Sequence, residues 1–391
     1  MSAPVTTTAV PARTRLLGIA AAIGAITAVG TSMSLGLPLL AIVMETRGAS
    51  TSLIGINTAM AGVASILVTP FVPLVAHRIG AAPFLAIVLV VATATFPLFY
   101  VFDDYTVWFV LRFLFHGSIN VAFVLSEFWI NALAPPGRRG LVMGIYATVL
   151  SLGFAVGPAI LGVVGSAGVA PFVVGTAAMA LATVPVLLAL KANPVMDEKP
   201  RGSILRYVVL VPLATFAALT MGATESGMLS FIAIYGLRIG FNEATAVMLV
   251  SAVAVGNIVS QIPLGLISDR VDRRKLLLVI AVIATAIAAM IPLVADVTLL
   301  LFASLVVWGG VVAGLYTVGL THLGARLSGS DLASANAAFI LMYSFGMLAG
   351  PALVGAGMDV WDPHGLMVVA AAFTFGYSGL AAWRILRARG A

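Results

Sequence analysis

The sequence predicts an all-α integral membrane protein with twelve transmembrane helices in two pseudo-symmetric six-helix bundles. Three observations support this fold class: an apolar composition, a series of long apolar segments, and an internal repeat. Of the 391 residues, 61% are hydrophobic and only 9% are charged, and the mean hydropathy is +1.15. Because a soluble domain carries about 25% charged residues, the composition indicates a chain that crosses the membrane many times.

Twelve apolar segments reach the length of about 20 residues that a transmembrane helix needs. Residues 16–191 form the predicted amino-terminal bundle, with helices at 16–44, 52–76, 82–101, 105–133, 141–165 and 169–191. Residues 205–385 form the predicted carboxy-terminal bundle, with helices at 205–236, 243–268, 274–294, 298–325, 332–358 and 365–385. The polar segment 192–204 is the predicted linker, and residues 1–15 and 386–391 are the predicted tails.

The basic residues predict the orientation of the chain. Seventeen of the 20 Lys and Arg residues fall on the side of the tails and the linker, and two, Arg47 and Arg238, fall on the other side. Since cytoplasmic loops are enriched in Lys and Arg, both termini are predicted to be cytoplasmic, in the inner (plasma) membrane. Basic loops at the inner membrane surface bind anionic lipid, which accounts for the net charge of +6. We therefore expect membrane lipid as a partner and no nucleic acid.

The sequence lacks the residues of several kinds of catalytic and metal site. It has no cysteines and four scattered histidines, which excludes disulfides, thiolate metal sites and cysteine nucleophiles. It contains no Walker-type or G-x-G-x-x-G phosphate loop. We therefore do not expect an enzyme, a bound cofactor or a bound metal. We expect the energy for any transport to come from a source other than ATP.

A glycine-proline motif occurs twice. Gly153–Gly162 and Gly346–Gly355 both fit G-x-x-x-G-P-x-x-x-G, and they begin 193 positions apart (346 − 153). Glycines four residues apart allow close helix packing, and proline bends the helix. The predicted helix-packing residues are Gly153, Gly157, Pro158, Gly162, Gly346, Gly350, Pro351 and Gly355.

Two other places repeat with nearly the same period. Gly30–Gly48 aligns without gaps onto Gly222–Gly240 at an offset of 192, and Arg78 and Arg270 are separated by the same offset. Shared apolar character does not explain the matching Gly, Gly-Pro and Arg positions. The repeat therefore predicts one bundle that is encoded twice.

The loop after the eighth predicted helix resembles the G-x-L-a-D-r-x-G-r-r signature of the major facilitator superfamily. Its matching residues are Gly265, Asp269, Arg270, Arg273 and Arg274, and Asp272 replaces the usual second glycine. The loop that carries Arg78 is similar to a degraded copy, with His77 in place of the acid. The Gly-Pro motif of the fifth helix resembles that of the drug and sugar-efflux proton antiporters of this superfamily.

This resemblance implies secondary transport by alternating access around a central cavity. It also implies that Asp269 is a gate latch, which pairs with a base or a helix amino terminus of a neighbouring element in one conformation and releases it in the other. The predicted gating residues are Gly265, Asp269, Arg270, Arg273, Arg274 and Arg78. The alternative is a basic loop that only fixes the topology.

Three charged residues lie within the predicted helices: Arg112, Glu127 and Glu225. Such charges are costly in lipid, which makes them functional candidates. At about 100° per residue, a polar stripe on the fourth helix falls within one arc of about 100° and is predicted to face the interior. The stripe contains Arg112, His116, Asn120, Glu127 and Asn131.

Glu225 and Glu127 are the predicted proton-coupling residues. The alternative for Glu127 is a structural acid that bonds to Trp129, Asn131 or the Arg138–Arg139 pair. Arg112 is predicted to bind an anionic substrate group or to control a carboxyl group, and its alternative is an ion pair with Asp103 or Asp104.

Polar residues on several helices complete the set of substrate-binding candidates. For each of the weaker candidates the alternative is hydrogen bonding between helices. The full predicted set is Arg112, His116, Asn120, Asn257, Gln261, His322, Asn336, Tyr343, Thr31 and Ser34.

Together these features predict proton-coupled export of a small amphipathic organic compound, by a monomer whose partners are lipid, substrate and protons. One alternative is a proton-coupled importer of a small nutrient or organic anion, with Arg112 as the counter-charge. Another is a membrane receptor or scaffold that transports nothing.

Overall fold

The protein is all-helical in the computed structural model, which describes residues 12–133, 139–190, 204–327 and 329–387. The first half contains α1 Ala12–Thr46, α2 Thr51–Ile79, α3 Ala81–Val101, α4 Tyr105–Leu133, α5 Arg139–Val164 and α6 Ala170–Leu188. The second half begins with a short helix, Ile204–Leu210, and continues with α7 Pro212–Arg238, α8 Glu243–Arg270, α9 Arg273–Val294, α10 Thr298–Gly324, α11 Gly329–Val360 and α12 Gly365–Arg387.

The helices follow the predicted order. Eleven described helices are long and apolar enough to span a membrane, and α5 contributes a shorter apolar stretch, Leu152–Val164. Residues 12–15 and 386–387, predicted as tail, are helical ends of α1 and α12. The predicted linker lies outside the described residues except for Ile204, which begins the short helix.

Local sequence explains where several helices begin and bend. Ser50 accepts a hydrogen bond from Leu53 N at 3.2 Å, and Asn242 accepts one from Thr245 N at 2.9 Å, so both act as amino-terminal caps. Gly80 joins α2 to α3 with φ 93°, a conformation that favours glycine. A 3₁₀ turn at Thr69–Phe71 interrupts α2, where Pro70 lacks a backbone donor.

Within each half, glycines bring two helices into backbone contact. A Cβ atom on Gly153 would lie 3.1 Å from Thr27 O, and one on Gly157 would lie 2.0 Å from Ser34 Oγ, so α5 packs closely on α1. In the second half, a Cβ on Gly346 or Gly350 would lie 2.1 Å from a carbonyl oxygen of α7. The helix pair α7–α11 therefore repeats the pair α1–α5, and Pro158 and Pro351 lie inside the corresponding helices.

Gly162 does not have the packing role that the motif predicts. Nothing lies within 4 Å of the Cβ atom that it would carry, because this end of α5 lines a surface recess with Asn242 and Glu243. In the equivalent position of the second half, a Cβ on Gly355 would lie 2.2 Å from Thr51 O of α2. The two copies of the motif therefore differ at their last glycine.

The halves meet along α2 and α11. A Cβ on Gly55 would lie 2.2 Å from Pro351 O, and one on Gly62 would lie 2.4 Å from Leu348 N. These contacts continue to the end of the molecule that carries the turns 47–50 and 361–364, which we call the closed end. The opposite end, where α6 ends and the short helix Ile204–Leu210 begins, is called the linker end.

Candidate functional site

Glu225 lies on the most enclosed helix of the bundle. In α7, 89% of the most apolar stretch is buried, so polar side chains there face protein rather than lipid. The neighbouring hydroxyls bond to their own helix, from Thr224 to Thr220 O at 2.7 Å and from Ser226 to Gly222 O at 2.6 Å. Glu225 instead accepts a hydrogen bond at Oε2 from the hydroxyl of Tyr343 on α11.

A cavity between the halves contains the Glu225 carboxyl group. It measures about 20 Å³, where one water molecule needs roughly 10–15 Å³. Its walls come from α1, α2, α5, α7 and α11, and apart from Glu225, Ser226, Thr58 and Tyr343 they are apolar. The remaining lining residues are Met33, Leu37, Ala61, Phe154, Leu229 and Met347.

Arg112 lies behind this cavity in the first half. Its side chain is fully buried, and its Nε donates to Asn57 Oδ1 at 3.0 Å. Its Nη2 donates to the hydroxyl of Thr58 at 3.4 Å, and Thr58 also lines the cavity. Thr58 therefore connects the guanidinium group to the site that holds Glu225.

The charge of Arg112 has no acidic partner among the described residues. The two predicted alternatives bond elsewhere, since Asp103 pairs with Arg47 at 3.1 Å and Asp104 accepts from Thr106 N at 2.7 Å. Within the described part of the chain, Arg112 Nη1, Asn57 Nδ2 and His116 Nε2 also have no hydrogen-bond partner. Because buried charges in proteins are normally paired, this arrangement favours a functional interpretation of Arg112.

The polar stripe of α4 enters the bundle. His116 is buried and contacts Arg112 O through Nδ1 at 3.2 Å. Asn120 donates to Thr69 Oγ1 of α2 at 2.8 Å. Glu127 is half-buried. Asn131, Arg138 and Arg139 were predicted neighbours, and their side chains lie outside the described residues.

The other predicted binding residues divide into two groups. Ser34 Oγ donates to Gly153 O at 3.0 Å in the α1–α5 contact, close to the buried Thr31, and His322 is buried. Gln261 donates to Asn257 Oδ1 at 2.7 Å and accepts from Thr317 at 2.7 Å, while Asn336 is exposed. Ser34 and Gln261 therefore each bond to a neighbouring helix, and Asn336 presents a polar side chain at the surface of the second half.

The predicted gate loop at the linker end is not engaged across the halves in this conformation. Among the described residues, Asp269 pairs with Arg273 of its own turn at 3.3 Å, and its side chain is 69% exposed. Gly265 has nothing within 4 Å of its would-be Cβ atom. Arg78, Arg270 and Arg274 are at the same end of the molecule, and the latch role of Asp269 stays a prediction for another conformation.

At the closed end, a latch crosses between the halves. Asp359 of α11 accepts hydrogen bonds from Thr51 N at 3.2 Å, from Ser52 N at 3.0 Å and from the hydroxyl of Thr51. The Thr51 hydroxyl is also 2.9 Å from Gly355 O. A carboxylate at the amino terminus of α2 satisfies free backbone donors and complements the helix dipole. Thr51, Ser52, Gly355 and Asp359 form what we call the closed-end latch.

A charged cluster supports this latch. Arg238 of α7 binds Glu45 of α1 through two nitrogens, at 2.9 and 3.0 Å, and binds Asp362 at 2.6 Å. The sequence does not predict these pairs, because spacing within one half does not reveal a partner in the other half.

Removing the charge of the latch should loosen the closed end. Asp359→Asn keeps the shape but weakens hydrogen bonds to a charged group, which contribute about 1.5–3 kcal/mol. We expect a single cysteine in the cavity, Ala61→Cys, to react about tenfold faster with an impermeant thiol reagent added from the closed end. Asp296→Asn, an exposed acid at the same end, is the control. Equal reactivity in both variants would contradict the latch.

Repeated helical halves that enclose buried ionisable groups define a polytopic membrane transporter. The chain belongs to the Major Facilitator Superfamily, whose family profile matches residues 21–254 and 215–390. It is therefore a member of a transporter family and not of an enzyme family. The fold predicted from the sequence, and the resemblance on which part of it rested, are both confirmed.

Curated relatives are transporters of the same type. The chain is 24% identical over 343 residues to the "Uncharacterized MFS-type transporter YfkF" of Bacillus subtilis, which covers 86% of this chain and 88% of the relative. It is also 24% identical over 288 residues to an "Uncharacterized MFS-type transporter" of Yersinia pestis, with 70% and 71% covered.

Solved structures share the fold. The nucleoside transporter NupG aligns with a TM-score of 0.75 at 15% identity, over 96% of this chain and 98% of that one. The D-xylose-proton symporter aligns with a TM-score of 0.70 at 16% identity, over 94% and 96%. A bacterial homologue of the lysosomal transporter Spinster, in an inward-facing conformation, aligns with a TM-score of 0.74 at 14% identity, over 96% and 98%.

Proposed function

We propose that this transporter exports a small amphipathic organic compound in exchange for protons. The observation that carries the proposal is the placement of the Glu225 carboxyl group in a cavity between the halves, hydrogen-bonded to Tyr343. A protonatable group between two moving halves can exchange protons with a different compartment in each conformation. Glu127 is the second candidate carrier.

The walls of the cavity support an amphipathic substrate. Met33, Leu37, Phe154, Leu229 and Met347 contribute an apolar surface, and methionine side chains adapt to ligands of different shape. The few polar groups at the cavity are those of Glu225, Ser226, Thr58 and Tyr343. In this conformation the cavity has room only for water, and we propose that the same lining contacts an apolar body with one polar group once the halves have moved apart.

The position of Arg112 disfavours the importer of organic anions. The guanidinium group is fully buried and does not line the cavity, because Thr58 lies between them. An anionic group in the cavity would first meet Glu225, whose charge has the same sign. We propose instead that Arg112 acts on the charge state of the site from behind the cavity wall.

The proposed orientation indicates which compartment each end of the molecule faces. We propose that the protein lies in the inner membrane with its Lys- and Arg-rich linker end in the cytoplasm. The closed end then faces outward. The closed-end latch and the Arg238 cluster then close the path to the outside, and the cycle requires both to open. We propose that the monomer is the functional unit, with Asp269, Arg270, Arg273, Arg274 and Arg78 joining the gate of the opposite conformation.

Glu225→Gln tests the proton coupling. In proteoliposomes, transport driven by a pH gradient should fall about 100-fold, because glutamine keeps the size of the side chain but carries no proton. Exchange of labelled for unlabelled ligand at equal pH should persist. The ligand is the compound that most raises the melting temperature of the purified protein in a library of metabolites and drugs.

Two variants serve as controls for this experiment. Glu127→Gln distinguishes the two candidate carriers, and Asp296→Asn removes an exposed acid far from the cavity. Gradient-driven transport that survives Glu225→Gln but not Glu127→Gln would transfer the role to Glu127. Gradient-driven transport that survives both would contradict the proposal.

A further inference from the structure

A pair of serines joins the two halves near the middle of the molecule. The hydroxyls of Ser65 and Ser344 are 2.8 Å apart, and both side chains are buried, with 3% of their surface exposed. Ser65 is the central residue of α2, Thr51–Ile79, and Ser344 lies near the middle of α11, Gly329–Val360. This contact is therefore far from the closed-end latch, although the same two helices form both.

On the side of the first half, Ser65 belongs to a hydrogen-bond network. Its oxygen lies 3.1 Å from Asn120 Oδ1 of α4, and the Ser344 oxygen lies 3.0 Å from Ile340 O of its own helix, so one of the two serines donates to the other in place of one of these acceptors. Asn120 in turn donates to Thr69 Oγ1 at 2.8 Å, at the 3₁₀ turn of α2. Ser65 therefore has a hydrogen-bond partner in its own half, which positions its side chain.

On the side of the second half, the neighbour of Ser344 is the partner of Glu225. Tyr343 donates its hydroxyl to Glu225, and its carbonyl oxygen would lie 2.2 Å from a Cβ atom on Gly222. The backbones of α7 and α11 therefore touch at the level of Glu225. Two consecutive residues of α11 thus connect the coupling carboxyl group to the contact between the halves.

The position of the serine pair determines how it responds to a rocking motion. When one half rotates against the other, contacts at the two ends of the helices separate or form, and contacts near the axis change least. The closed-end latch lies at one end, and the Asp269 loop lies at the other. The serine pair lies between them.

We propose that Ser65 and Ser344 form the pivot contact about which the two halves turn. Their hydrogen bond persists while the closed-end latch opens, and it keeps Tyr343 beside Glu225 in both conformations. They are positioning residues, because they act through Tyr343. The inference rests on the proposed function, since it requires alternating access.

Disulfide cross-links can test the pivot because the chain has no native cysteine. One variant carries Ser65→Cys and Ser344→Cys. The serine oxygens at these positions are 2.8 Å apart, which approaches the S–S bond length of about 2.05 Å. The comparison variant carries Thr51→Cys and Asp359→Cys in the closed-end latch. Both are combined with Gly55→Trp, which is designed to open the closed end, and cross-linking is measured by mass spectrometry after alkylation.

The opening itself is measured in the same samples. Ketone-bearing residues placed at Thr106 and Val297, exposed positions of α4 and of the turn before α10, accept spin labels that do not react with thiols. The pulsed-EPR distance between them reports on the closed end. Each double-cysteine protein in reductant is its own control for folding.

We expect the Ser65→Cys, Ser344→Cys disulfide to form to a similar extent with and without Gly55→Trp, and the longer label distance to remain after oxidation. The Thr51→Cys, Asp359→Cys disulfide should form only without Gly55→Trp. If the central disulfide is lost in the Gly55→Trp protein, or shortens the label distance, the pivot is wrong. If the label distance does not lengthen with Gly55→Trp, the closed end does not open, and both the pivot and alternating access are contradicted.

A second measurement separates this inference from the proposed function. In the otherwise unmodified protein, Ser344→Ala should shift the pH midpoint of gradient-driven transport, because Tyr343 is less firmly held. Ser304→Ala, at another buried serine, should not. An unchanged midpoint in Ser344→Ala, with transport still abolished by Glu225→Gln, would overturn the pivot and leave the proposed function intact.

Discussion

Gly55→Trp is expected to shift the protein into the conformation in which the two halves have separated at the closed end. A Cβ atom at this position would lie 2.2 Å from Pro351 O, so even alanine is too large while α2 and α11 touch. Overpacking a close contact costs about 1–3 kcal/mol or more, and an indole ring cannot be accommodated between two backbones. The closed conformation should therefore lose about 100-fold in population, and transport should stop because the cycle requires both conformations.

The measurement is the distance between spin labels on Thr106→Cys and Val297→Cys. We expect a single short distance in the unmodified protein and a longer one with Gly55→Trp. The matched control is Gly162→Trp, a helix glycine with nothing within 4 Å of its would-be Cβ atom. An unchanged distance in Gly55→Trp, or the same change in Gly162→Trp, would contradict a close contact between α2 and α11.

The sequence was sufficient to predict the helices, because each span is a long apolar segment between short polar turns. It was also sufficient for the repeat, and the packing of α7 on α11 through Gly346 and Gly350 has its counterpart in α1 and α5. Gly162 shows the limit of this reasoning. A motif identifies a helix face, but the contact on that face depends on a neighbour whose position the motif does not encode.

The contacts between the halves are the part that the sequence did not reveal. Gly55 and Gly62 are seven residues apart and belong to no repeated motif, and their partners are almost 300 residues away along the chain. Asp359 is one of several acidic residues near helix ends, and only its position beside Thr51 N and Ser52 N identifies a latch. The contacts between the halves depend on how one half is placed against the other in a given conformation. Local sequence patterns do not determine that placement.

The same reasoning explains why Arg112 was identified as a candidate while its surroundings were not. A charge inside an apolar helix is visible in the sequence, and it predicts function because of its cost. The partners Asn57 and Thr58 lie on α2 and are ordinary polar residues of a helix. Their role depends on the packing of α4 against α2, which brings them within hydrogen-bond distance of the guanidinium group.

Arg112→Met should abolish gradient-driven transport while the protein remains folded. The guanidinium group is fully buried and has no acidic partner among the described residues, so its removal leaves no carboxylate without a counter-charge there. Loss of the bond to Asn57 Oδ1 costs about 1–3 kcal/mol, and relief of the buried charge offsets this cost. We therefore expect the free energy of unfolding to change by less than about 2 kcal/mol, or to rise.

Thermal unfolding and proteoliposome transport, measured on the same preparation, distinguish this outcome from a structural role. Arg112→Lys should retain part of the transport, because it keeps the charge but not the two-point geometry with Asn57 and Thr58. Arg238→Met is the contrasting case, since Glu45 and Asp362 would lose their partner and the closed end would be destabilised. A stability loss of about 3–5 kcal/mol in Arg112→Met, the size seen when a buried ion pair is broken, would show that Arg112 holds the helices together and that its charge does not serve transport.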